Sequence, residues 1–176
     1  MTAMRRATEL AIVAVVLSAV TSQAGMLDGL TGYGELRFGL PLAEAAAMTG
    51  ASPSKAADGS ELLESREKIA GRPALRQLWF RDHRLTRIVF RWIAEDRAGP
   101  AGCEAVFDQM TEMVAQRYGR PVQGPTEQKG ADSFSGGTFW VFRDGANIGL
   151  SVSYEDGRNT DQGCRAMLSY RETPNG

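Results

Sequence analysis

Histidine, cysteine and long apolar runs are all scarce in this chain, and each scarcity removes a class of function. There is one histidine, His83, lying between two strand-like runs. A lone histidine in a turn reads as a solvated polar residue, because a catalytic base or metal ligand needs partners that the surrounding sequence does not supply. No Gly-x-Ser-x-Gly elbow, phosphate-binding loop or zinc-type ligand spacing occurs. Two cysteines are present, too far apart for a redox-active Cys-x-x-Cys pair. Charge of one sign is also missing: 20 basic against 21 acidic residues give a net charge of −1. A chain so balanced has no global field to draw it to nucleic acid or an anionic membrane.

The longest apolar block, Leu10 to Val20, is broken only by Ser18. It is too short for a comfortable membrane span, which needs about 20 apolar residues, but long enough for the apolar core of a secretory leader. Arg5 and Arg6 precede it, and Ser22-Gln23-Ala24 follow with a small-x-small cleavage pattern. Residues 1–24 are therefore expected to be a cleavable signal peptide and residues 25–176 the exported chain, periplasmic or secreted, with no stable membrane anchor after cleavage. The residue after the cleavage point is Gly25, with no cysteine nearby to carry lipid. Cleavage leaves 152 of the 176 residues, enough for one domain with a real core. Removing two Arg and one Glu from the totals leaves a net charge of about −2.

Export changes the meaning of the cysteines, since an even pair in an oxidising compartment favours a disulfide. Cys103 opens a helical series with Val106, Phe107, Met110, Val114 and Tyr118, and Cys164 alternates with Ala166, Leu168 and Tyr170. Both thiols thus point toward a common core, and a Cys103–Cys164 bridge is expected.

Periodicity and turn residues divide the chain further. Glu35 to Phe38 reads as a short strand, Leu42 to Met48 as a helix capped at Gly50, and Ser52 to Ser60 as an exposed loop. Leu62 to Ile69 fits either a helical turn or a strand. Leu75 to Arg81 and Leu85 to Ile93 alternate around Asp82-His83-Arg84 as a β-hairpin does, with Ile88, Phe90 and Trp92 on one face. A Gly/Pro break at Gly99, Pro100 and Gly102 precedes the strongest helix, Cys103 to Tyr118, which stops at Gly119 with Pro121 behind it. Gly124 to Gly137 reads as a polar loop. A second hairpin is expected from Phe139 to Phe142 and Asn147 to Tyr154, then a polar turn around Asp156, Gly157 and Asn159, and a last strand from Cys164 to Arg171.

The fold class predicted is α+β, an antiparallel sheet with two helices packed on one face. Trp79-Phe80-Arg81-Asp82-His83 and Val141-Phe142-Arg143-Asp144-Gly145 echo each other 62 positions apart (142 minus 80). That echo suggests a single domain built as a degenerate tandem helix-plus-hairpin repeat, with halves at 33–98 and 99–173.

Phe38-Gly39-Leu40 leading through Glu44 to Gly50, and Arg117-Tyr118-Gly119-Arg120-Pro121 closing the second helix, are the residues that carry a family likeness. In them the chain resembles the β-lactamase-inhibitor-protein-like fold, which includes the outer-membrane assembly lipoproteins of the SmpA/OmlA type. It departs from those lipoproteins in lacking the lipid-bearing cysteine and in the placement of Pro53. The resemblance implies helices packed on one face of antiparallel sheet, and protein recognition as the activity.

Among residues that carry chemistry, Glu95 with Asp96 and Asp156 with Asp161 are possible carboxylate pairs, but the loop from Glu155 to Asp161 lacks the alternating oxygen ligands of a calcium loop. No metal, cofactor or catalytic set is expected. On the first hairpin, Gln77, Trp79 and Arg81 alternate on one strand and Arg87, Val89 and Arg91 on the other, facing away from Ile88, Phe90 and Trp92. Trp and Arg combine apolar area with directional bonding and are enriched at interface hot spots, so Trp79, Arg81, Arg87 and Arg91 form the candidate partner surface. The alternative is an ordinary Arg-lined solvent face. The expected function is a non-catalytic periplasmic module that binds another protein, as an inhibitor, an immunity-type antidote or an envelope assembly factor. Two alternatives stand beside it: a small-ligand or lipid binder with Phe139, Trp140 and Tyr154 lining a cavity between helix and sheet, and a carboxylate-based hydrolase.

Overall fold

A computed structural model of the chain describes residues 29–69, 71–94, 99–155 and 163–173. The expected signal peptide, the two carboxylate pairs and the polar turn at Asp156 lie outside them.

Twelve elements follow one another. A two-residue hairpin, β1 (Gly32–Tyr33) and β2 (Leu36–Arg37), leads into α1 (Leu42–Thr49). Four strands come next: β3 (Pro53–Lys55), β4 (Glu61–Ile69), β5 (Arg72–Arg81) and β6 (Arg84–Ala94). The long helix α2 (Gly99–Tyr118) precedes four more, β7 (Gln123–Lys129), β8 (Ser133–Val141), β9 (Asn147–Glu155) and β10 (Gly163–Arg171). The last eight strands form one sheet in the order β3-β4-β5-β6-β10-β9-β8-β7, antiparallel at every pairing.

Side-chain alternation splits this sheet into two faces. The inner face carries Leu63, Leu78, Ile88, Phe90, Trp92, Leu168, Tyr170, Leu150 and Trp140, which join one hydrophobic cluster with Ala45 of α1 and with Cys103, Val106, Phe107, Met110 and Val114 of α2. The buried positions of α2 recur at the three- and four-residue spacing of one helix face, so the helix lies along the sheet. Both helices bury apolar side chains against this one face.

Close approach under α2 depends on a glycine: a Cβ at Gly136 would stand 2.9 Å from the Phe107 ring and 3.0 Å from Phe134. The indole of Trp140, fully buried, donates from Nε1 to the Gly119 carbonyl at 2.8 Å and so occupies a carbonyl at the end of α2. The β1–β2 hairpin covers the middle of the inner face, with the Tyr33 ring 4.7 Å from that of Phe90 and 5.3 Å from that of Tyr170, centroid to centroid. The expected disulfide is present. Cys103 in the first turns of α2 and Cys164 at the start of β10 are bonded, with Cα atoms 5.4 Å apart.

Several local expectations need correction. Ser52 to Ser60 is not all loop, because Pro53–Lys55 pairs with β4 as a short edge strand. Gly124 to Gly137 is mostly strand: β7 pairs with β8, and every residue of β7 is exposed. An edge strand supported by backbone pairing alone needs no apolar alternation, so periodicity could not reveal it. Gly99, Pro100 and Gly102 form the first turn of α2 rather than a break, since a proline there gives up an N–H that has no helical partner. The short strand expected from Glu35 to Phe38 is present as β2, paired with β1 in a separate two-stranded sheet. Leu62 to Ile69 resolves as strand, its ambiguity removed by pairing with β5. The echoed turns follow β5 and β8, the third strand of the first half and the second strand of the other half, so the echo aligns elements that the sheet order does not.

Candidate functional site

No helix among the described residues covers the outer face of the sheet. Its character comes from register. Trp79 of β5 stands opposite Arg87 of β6, and Arg87 opposite Arg171 of β10. The next row along the strands runs Gln77, Val89, Ser169, Gly149 and Phe139, and the row after it Leu75, Arg91, Met167 and Ser151. The middle of the face is sunken. Val89 is fully buried, with Gln77 and Ser169 at 8% and 6% exposure, although no helix among the described residues lies over them. Gly149 allows this packing, because a side chain there would meet the Phe139 ring and the Ser169 hydroxyl, both 3.2 Å from its Cβ.

Trp79 is half-buried, with the Arg87 guanidinium 5.8 Å from its ring centroid in a cation–π stack. Its indole Nε1, the Arg87 Nε and the Gln77 Oε1 are buried without a hydrogen-bond partner. Gln77 uses its amide nitrogen to donate to Glu64 at 2.7 Å. Burial, and then the neighbouring charges of Arg171 and Arg91, lower the pKa of Arg87. Among the described residues neither Arg87, Arg91 nor Arg171 has an ion-pair partner.

An open cleft of about 1040 Å³ begins at this row and runs around the tip of the β5–β6 hairpin. Trp79, Arg81, Arg87 and Arg171 line it together with Lys55, Asp58, Gly59 and Ser60. His83 lies at the tip with its Nδ1 2.8 Å from the Glu61 carboxylate, largely exposed, as expected of a turn residue. Asp82 and His83 both have positive φ, 51° and 60°, the geometry of a two-residue hairpin turn. Arg84 is held by its own contact, donating to the Gly39 carbonyl at 3.0 Å.

Three of the four expected surface residues, Trp79, Arg81 and Arg87, therefore share the cleft. Arg91 does not line it; it lies four residues along β6, on the same face. Val89, expected beside them as part of the open surface, is buried instead. Arg171 joins the cluster from a strand 84 positions away (171 minus 87), and nothing in the local sequence could have placed it beside Arg87.

The residues proposed for a small-ligand cavity do not converge. Phe139 is on the outer face and exposed, while Trp140 points inward and is buried in the core. Phe107, Met110, Val114 and Phe134 fill the space between α2 and the sheet.

Alternation also sorts the charges. The outer face carries eight cations, Arg66, Lys68, Arg81, Arg84, Arg87, Arg91, Arg165 and Arg171, against one acidic residue among the described side chains, Glu64. This concentration sits in a chain whose total charge is −1. Asp58, Glu61, Asp82 and Glu172 line the cleft around the hairpin tip, while Glu67 pairs with Arg76 on the inner side and Glu104 of α2 with Lys129. No protein-family model, no curated protein and no solved structure matches this chain.

Proposed function

We propose that this chain is an exported, non-catalytic module that binds another protein through the outer face of its sheet. The observation that carries the reading is a sheet face that no helix among the described residues covers, with Trp79 stacked on Arg87 and three arginines that have no ion-pair partner among those residues. A desolvated aromatic–arginine pair beside a sunken row of small residues, with exposed Phe139 and Val141 at 48% and 38% across the same face, matches the composition of recognition surfaces. Export is supported by the leader-like residues 1–24 and by the Cys103–Cys164 bridge, a bond characteristic of oxidising compartments.

A tandem repeat is part of the same proposal. Each half runs helix then four strands, and the halves meet at β6 and β10 with the strand order mirrored. We take α2, which starts at Gly99, as the opening of the second half; the Phe-Arg-Asp echo does not mark that boundary. Duplication would yield a sheet twice as wide, and hence a face large enough for a protein partner.

The test is capture of the partner in cells, using a photocrosslinking residue at Phe139 and the double variant Trp79→Ala/Arg91→Ala. The reading requires a discrete crosslinked protein with the parent chain and its loss in the variant. Undiminished capture by the double variant removes the site assignment, and the absence of any crosslinked protein removes the function.

A further inference from the structure

We infer that the partner presents an acidic segment, whose carboxylates bind Arg87 with Arg171 at one point and Arg91 at another, while an apolar residue beside them packs toward Phe139. The inference rests on the protein-binding reading above and names the chemistry of the partner.

Charge complementarity is the main ground. Among the described side chains, eight cations against one carboxylate on one sheet face is a separation that the overall composition does not require, and like charges placed together cost stability unless an anion offsets them. Arg87, Arg91 and Arg171 have no such anion among the described residues. Guanidinium groups are suited to planar, two-pronged carboxylate recognition, and Arg87 is oriented for it by its stack on Trp79.

Spacing sets the form of the ligand. Arg87 and Arg171 are direct neighbours on paired strands, about 5 Å apart at their backbones. Arg91 is four residues further along β6, roughly 13 Å away at about 3.3 Å per residue. One phosphate or carboxylate cannot bridge that distance, whereas two acidic side chains four residues apart on an extended segment match it. A polyanion such as DNA, or an anionic bilayer, would call for cations across the whole face. Here the β8–β9 half carries Gly137, Phe139, Val141, Gly149 and Ser151 instead, an apolar and small-residue surface suited to a protein.

The experiment uses protein recovered from cells expressing the full sequence, and two synthetic extended peptides. One has glutamates four residues apart around a central phenylalanine; the other has glutamine at those two positions. Binding is read by calorimetry and by Trp79 fluorescence, since Trp92 and Trp140 are buried. The glutamate peptide should bind at least about tenfold more tightly than the glutamine one and weaken as salt rises. The triple variant Arg87→Gln/Arg91→Gln/Arg171→Gln should abolish the difference. Arg37→Gln/Arg72→Gln/Arg120→Gln, equal in charge but lying off the outer face, should preserve it. Thermal melts of both triples confirm folding.

Equal binding of the two peptides, equal loss in the control triple, or tighter binding to phosphatidylglycerol vesicles or to duplex DNA than to the glutamate peptide would overturn the inference. Failure here is separable from failure of the protein-binding reading. A Phe139-crosslinked partner whose contacting segment is neutral or basic sinks the acidic-partner inference alone.

Discussion

Replacing Cys103 and Cys164 together by alanine tests how the two halves of this molecule depend on one another. The bond joins positions 61 apart and fastens the start of α2 to the start of β10. Closing a loop of that size removes about 4 kcal/mol of chain entropy from the denatured state. Both cysteines are fully buried, so alanine is preferable to serine, which would add unpartnered hydroxyls to the core. At roughly 2–4 °C per kcal/mol for a domain of this size, the melting temperature should fall by about 8–16 °C. Urea unfolding followed by far-UV circular dichroism measures the loss, and the slope with denaturant should rise, because an uncrosslinked denatured chain exposes more surface. Wild type unfolded in reductant should reproduce the variant. A loss below about 1 kcal/mol with an unchanged slope would refute the reasoning, since it would mean that the denatured chain holds α2 near β10 without the bond.

The other predictions are more local. Gly136→Ala should cost roughly 1–3 kcal/mol in the same urea assay, because its Cβ meets the rings of Phe107 and Phe134 and α2 must lift from β8. Replacing Asp82-His83 by Asn-Gly should stabilise the chain by about 1 kcal/mol, as both positions have positive φ, and should leave partner capture unchanged; a loss of capture would give His83 a role beyond the turn. Burial raises the phenol pKa of Tyr33 and of Tyr170, the latter strongly. An acid whose pKa is higher when folded contributes stability that is complete below its unfolded value, near 10, and that declines as pH rises above it. Absorbance at 295 nm, with Tyr33→Phe and Tyr170→Phe assigning the signals, should therefore show Tyr33 and Tyr170 still protonated where free tyrosine has ionised. Ordinary titration of both in a folded chain would contradict that placement.

Much of the architecture was legible in the sequence because it is carried by local rules. The α2 stripe from Cys103 to Tyr118, the Gly119 terminator, the Asp82-His83 turn and the alternation of Ile148, Leu150 and Val152 each depend on residues within a few positions of one another. β7 and β3 were not legible, since exposed edge strands exist only because a neighbour offers backbone partners. The candidate site was legible in part. Trp79, Arg81, Arg87 and Arg91 could be assigned to one face of a hairpin by alternation, while the burial of Val89, the contribution of Arg171 and the distance of Arg91 from the cleft could not.

The sequence by itself determined the elements with apolar periodicity, the pairing of the cysteines and the composition of the β5–β6 hairpin, because periodicity and turn chemistry act over short range. It also set a net charge near zero, which on its own argues against any electrostatic partner. Only the tertiary structure decided how that charge is distributed. Placing β10 beside β6 with both helices on the inner face gathers eight cations on the other side, and that segregation depends on long-range register, which no local pattern records.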